Sequence, residues 1–158
     1  MRHRRRDLRA LILPLAAVAS AALPAGAAPA PAPAPGGVVS ATVTGLRSAK
    51  GRIVACLTAR PAAFPDCADD PAAIGREVPA AEGATLDFGH VAPGRYAISL
   101  FHDENGNGRL DKRMLLPREG YGFSRDAPVR FGPPSFAAAA FTVAGGDARQ
   151  SIRMRYIF

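Results

Sequence analysis

Several patterns that usually announce chemistry are missing from these 158 residues. No serine sits in a G-x-S-x-G elbow, Ser99, Ser124 and Ser135 near the central loop included, which argues against nucleophilic hydrolysis. There are three histidines, and neither His90 nor His102 has a second His or Cys at ligand spacing, so a zinc site is not indicated. The two cysteines, Cys56 and Cys67, do not form a C-x-x-C pair, which argues against redox chemistry. Beyond the N-terminus nothing approaches the roughly 20 apolar residues of a membrane-spanning helix, so stable membrane insertion is not expected. A sustained helical period is also missing.

What is present begins with an export signal. Arg2, Arg4, Arg5, Arg6 and Arg9 make a basic segment, residues 10–23 are apolar and rich in Ala and Leu, and Ala25-Gly-Ala27 has the small-x-small pattern of a cleavage site. Residues 1–27 are therefore read as a signal peptide, residues 28–37 as a Pro/Ala-rich spacer that packs no core, and residues 38–158 as one domain. Losing residues 1–27 removes five arginines and one aspartate, so the formal charge falls from +7 to +3. That leaves no clustered basic face for nucleic acid. The mature chain is expected in the periplasm or the medium. In that compartment Cys56 and Cys67 are expected to pair, closing a short loop that stabilises by roughly 3 kcal/mol.

From Val38 onward short apolar alternations are bounded by Gly, Pro and Asp. Val39, Ala41 and Val43, then Ile53, Ala55 and Leu57, read as a hairpin turning at residues 47–51. Residues 59–82 read as a long loop, residues 84–88 as a strand, and residues 95–102 as the strongest strand, with both faces covered. Residues 112–127 read as a second long loop, residues 128–131 as an edge strand, and residues 136–143 as another strand. Ile152, Met154 and Tyr156 mark the inner face of the last. The pattern predicts an all-β fold, an antiparallel β-sandwich of about seven strands, immunoglobulin-like or transthyretin-like, with a barrel as the alternative.

The strongest strand runs into a loop of oxygen donors, Ser99-Leu-Phe-His-Asp-Glu-Asn-Gly-Asn-Gly-Arg-Leu-Asp111. Asp103, Asn105 and Asn107 alternate, Gly108 permits a positive φ, and Asp111 stands at the ninth position of an EF-hand style run. Met114 occupies the twelfth position, where such a loop places a bidentate Glu, so Glu119 or backbone carbonyls would complete the shell, and Arg109 would contribute its carbonyl. With two carboxylates the expected ligand is calcium, held weakly, at roughly 10⁻⁴ to 10⁻³ M. The competing reading is that the Asx side chains cap their own backbone. Tyr121, Phe123, Phe131 and Phe136 are a candidate surface for a protein, peptide or glycan ligand, or else a seal over one end of the sandwich. Glu104, Glu119 and His102 are candidate acids and bases for a hydrolase in the same cleft. A purely structural envelope protein is the third reading.

Three motifs in order carry a resemblance: Phe101-His-Asp-Glu-Asn-Gly-Asn-Gly-Arg-Leu-Asp111, Pro117-Arg-Glu-Gly-Tyr-Gly-Phe-Ser124 and Phe131-Gly-Pro-Pro-Ser-Phe136. Together they resemble the exported bacterial family called domain of unknown function 2141. The resemblance implies a small secreted β-sandwich and brings no activity with it. Val91-Ala-Pro-Gly-Arg-Tyr96 resembles the Pro-Gly-x-Tyr turn of transthyretin-like and carboxypeptidase-regulatory-like sandwiches, which bears on fold alone.

Overall fold

Two sheets of alternating strands face each other across an apolar core. The computed structural model describes residues 35–158, so the signal and most of the spacer lie outside the described residues. Ten strands are formed among the described residues: β1 (Gly37–Thr44), β2 (Arg52–Thr58), β3 (Ile74–Pro79), β4 (Thr85–Val91), β5 (Gly94–Asp103), β6 (Lys112–Arg113), β7 (Leu116–Pro117), β8 (Gly120–Phe123), β9 (Phe141–Val143) and β10 (Ala148–Arg153). One sheet has the order β10-β1-β4, the other β3-β2-β5-β8, with β9 pairing the first residues of β5. The alternations read from the sequence become the inner faces: Val39, Ala41 and Val43, Leu86 and Phe88, and Ile152 meet Ile53, Ala55 and Leu57, Ile98 and Leu100. Burial of these side chains supplies the main driving force.

Four expectations are corrected. β1 does not form a hairpin with β2: its two edges are taken by β4 and, in parallel, by β10, so residues 45–51 cross from one sheet to the other. The loop expected over residues 59–82 contains β3, an edge strand paired to β2, whose mostly exposed side chains erased the period-2 signal. Residues 128–131 form no strand, since the outer edge of Tyr121 exchanges two backbone hydrogen bonds with Arg155. Residues 136–143 split into a helical turn, α1 (Phe136–Ala139), and β9. Alanine is the best helix former, and the Ser135 side chain caps the turn by accepting from the Ala138 amide at 3.3 Å.

A second apolar cluster covers the outer face of β5 and β8. Ala97, Tyr121, Phe123, Ala127 and Ala139 are buried there, with Phe64 and Phe136 packed against them. Phe64 lies 5.7 Å from the Phe123 ring centroid and 6.1 Å from that of Phe136. The Cys56–Cys67 disulfide, with Cα atoms 6.6 Å apart, ties the segment carrying Phe64 back to β2.

On β8 the alternate residues are glycines because the end of β10 and the tail after it lie against them. A Cβ at Gly122 would stand 2.7 Å from Ile152 Cγ2 and 3.0 Å from Leu100 Cδ1. Gly122→Val should therefore lose about 1–3 kcal/mol in urea unfolding, whereas Gly75→Ala, on β3 with nothing within 4 Å, should lose none. Equal stability of the two variants would contradict the packing described.

Candidate functional site: the acidic tip of the central strand

β5 delivers its last residue, Asp103, into the fold with no exposed surface. A carboxylate removed from water must be met by donors, and donors from two chain segments surround it. Asn107 N donates to Oδ1 at 2.9 Å, Gly108 N to Oδ2 at 2.8 Å, and Arg52 Nε to Oδ2 at 3.0 Å. Gly108 takes φ +76°, the left-handed conformation that lets its amide turn inward. Burial pushes the Asp103 carboxyl up, but the Gly108 amide, Arg52 and the Asn107 amide outweigh it and hold it below its usual range. Arg52 also donates to Glu77 Oε2 at 2.9 Å and to the Gly106 carbonyl at 3.1 Å, joining β2, β3 and the loop.

The remaining expected ligands converge too, though on one another. Asn105 Nδ2 donates to Asp111 Oδ2 at 2.8 Å and Asn107 Nδ2 to Asp111 Oδ1 at 3.1 Å. Their carbonyl oxygens cap the chain two residues on, Asn105 Oδ1 accepting from Asn107 N and Asn107 Oδ1 from Arg109 N. Arg109 itself is exposed. Glu119, nearly buried, accepts from Glu104 N and from Asp111 N, both at 3.0 Å, and so clasps the two ends of the loop. Among the described residues no three His, Cys, Asp or Glu side chains gather as a metal-holding group.

The candidate acids and bases are all engaged. Glu104 pairs with Arg47 and accepts from Ser48 Oγ at 2.8 Å; Arg47 holds its carboxyl down at about 2. Arg47 also lies 4.5 Å from the Tyr156 ring centroid. His102 is fully buried, with Nε2 2.7 Å from the Lys50 carbonyl and Nδ1 2.8 Å from Tyr156 Oη. A carbonyl only accepts, so Nε2 carries the proton and the tyrosine hydroxyl donates to Nδ1. A concavity of about 600 Å³ lies at the opposite end of β5, between the end of β2 and the β4–β5 turn near Tyr96 and His90.

The expected aromatic surface is not assembled. Tyr121 and Phe123 are buried and Phe136 half-buried in the second cluster, because β8 turns its non-glycine side chains under the helical turn; Phe131 alone of the four is exposed. Sequence reasoning missed Arg52 and Arg47, which meet the loop from 51 and 57 residues away, and no local motif marks them. It also missed the hairpin of β6 and β7, where Met114 and Leu115 stand at the turn with φ 50° and 70°.

These motifs lie inside a matched region. Residues 41–151 match a family described as an uncharacterized protein conserved in bacteria, domain of unknown function 2141. The chain belongs to that family. Comparison with curated proteins and with solved structures gives no match. The match spans the central strand, the loop and all three motifs on which the sequence resemblance rests.

A carboxylate whose folded pKa is depressed adds stability above its unfolded pKa, and that stability is lost as pH falls toward the folded value. For Glu104 the window runs from about 4.5 down to about 2. Glu104→Gln should therefore cost on the order of 2 kcal/mol at pH 7 and flatten the acid limb of the stability profile below pH 5. An acid limb unchanged in that variant would contradict the pairing with Arg47.

Proposed function

We propose that this protein is an exported, non-enzymatic β-sandwich module that presents the tip of residues 103–119, with calcium as a weak ligand of that tip. The observation that carries this reading is the convergence of Asn105 and Asn107 on the two oxygens of Asp111. Each carboxamide oxygen accepts one backbone amide and keeps a second lone pair, which a cation beside Asp111 can use while the caps stay in place. Asp103 is already balanced by Arg52 and two amides. Of the two aspartates, Asp111 is then the one without a cationic side chain on it, which puts calcium affinity at the weak end, about 10⁻³ M. In this reading Asp103 and Glu119 build the loop and Asn105, Asn107 and Asp111, with the Arg109 carbonyl, receive the ion.

Export is supported by the N-terminal pattern and by the Cys56–Cys67 bridge, which suits an oxidising compartment. The non-catalytic reading is supported by Glu104, Glu119 and His102 each being held by fixed partners, none of them lining the concavity near Tyr96 and His90. It predicts no turnover of ester or glycoside substrates, and turnover lost on Glu119→Gln would overturn it.

Calcium at about 10 mM should raise the unfolding temperature by several degrees over chelator, following RT ln(1 + [L]/Kd). Asp111→Asn should abolish that rise while leaving stability in chelator nearly unchanged. Asp103→Ala is not a clean test, because it removes the carboxylate that Asn107 N, Gly108 N and Arg52 share and so loosens the metal-free loop as well. Identical unfolding in calcium and chelator would contradict the calcium assignment.

A further inference from the structure

The hairpin of β6 and β7 carries three consecutive exposed apolar side chains. Met114 and Leu115 are 89% and 92% exposed, and Leu116 follows at 46%. Both turn residues adopt positive φ, a conformation that tight hairpins usually give to Asn or Gly. An unbranched thioether and a leucine there meet no need of the turn, and their surfaces are left to solvent. Lys112 and Arg113 precede them on β6, and Arg109 and Arg118 flank the hairpin in the chain; none of the four is buried, and among the described residues none has a carboxylate within 4.0 Å. The acids of the same tip turn elsewhere: Asp103 and Glu119 inward to amides, Glu104 to Arg47, Asp111 to the two carboxamides. The result is an exposed apolar turn with unpaired cations on both sides of it in the chain.

The base of the hairpin is fixed. Arg118 N donates to the Asp111 carbonyl at 2.8 Å, and Glu119 fastens Asp111 to Glu104. The turn therefore projects from a rigid mount at the end of β5.

From this we infer that the tip docks reversibly on an anionic lipid surface, Met114 and Leu115 entering the headgroup–acyl boundary while Lys112, Arg113, Arg109 and Arg118 meet the phosphates. Charge complementarity selects this occupant. A protein partner of ordinary size needs about 800 Å² of matched surface per side, including a desolvated apolar centre, and two side chains on a narrow hairpin do not supply it. The contact is peripheral, spans nothing, and does not rest on calcium.

The chain has no tryptophan, so a single one reports its own surroundings. In the full chain carrying Leu115→Trp, vesicles of phosphatidylglycerol mixed equally with phosphatidylcholine, in chelator, should shift emission to the blue, and brominated acyl chains should quench it. Pure phosphatidylcholine at the same lipid concentration should not. Ala92→Trp, exposed at the other end of β5, should not respond to either vesicle, which separates tip docking from binding by the N-terminal basic segment. Adding Lys112→Glu and Arg113→Glu to Leu115→Trp should raise the lipid concentration for half-maximal shift more than about tenfold. The inference is overturned if Leu115→Trp does not shift on anionic vesicles, if Ala92→Trp shifts as much, or if the charge reversals change nothing. Because no calcium is present, none of these outcomes depends on the calcium assignment.

Discussion

The arrangement of the tip depends on one buried charge. Asp103 ends the central strand inside the protein, where a carboxylate without donors would cost several kcal/mol. Its needs select the conformation of the next five residues: the chain must curl so that the amides of Asn107 and Gly108 reach it, and β2 must start with a cation, Arg52, aimed at the same oxygens. Glu119 applies the same logic from the far side, accepting the amides of Glu104 and Asp111. Two carboxylates thus hold the loop from within, and the hairpin they support is left with its cations and apolar residues outward.

A belt of contacts carries this order into the body of the fold. Arg47, in the crossover between sheets, pairs with Glu104, covers the Tyr156 ring and donates to the Phe158 carbonyl at 2.6 Å. Tyr156 in turn donates to His102, whose other nitrogen is bound to Lys50. The C-terminal tail, the crossover and the central strand are therefore joined beneath the tip, and residues that look like acid–base candidates serve as struts.

Much of the sandwich was legible because its inner faces obey a strict period of two: Val39, Ala41 and Val43, Ile53, Ala55 and Leu57, and Leu86 and Phe88 all occupy the core as their alternation implies. Pairing was less legible. Alternation says that β1 and β2 each have a dry face, not that they lie in different sheets, and a short connection between them reads equally as a turn or a crossover. β3 escaped notice as an exposed edge, and the alanines of residues 137–140 imitated a strand until Ser135 capped them into a turn. At the tip, the spacing could bring Asn105, Asn107 and Asp111 together, but it could not show that Asp103 faces a separate set of donors. Arg52 reaches it through the β2–β5 register, which only the folded sheet defines.

The central claim is that the loop is closed by its own hydrogen bonds, with any ion an addition to an existing structure. Amide hydrogen exchange measured residue by residue in chelator tests it most directly. The account predicts strong protection of the Glu104, Asn107, Gly108 and Asp111 amides without metal, in contrast to that of their exposed neighbour Asn105. Exchange of those four at the rate of an unstructured chain, with protection appearing only on addition of calcium, would contradict it.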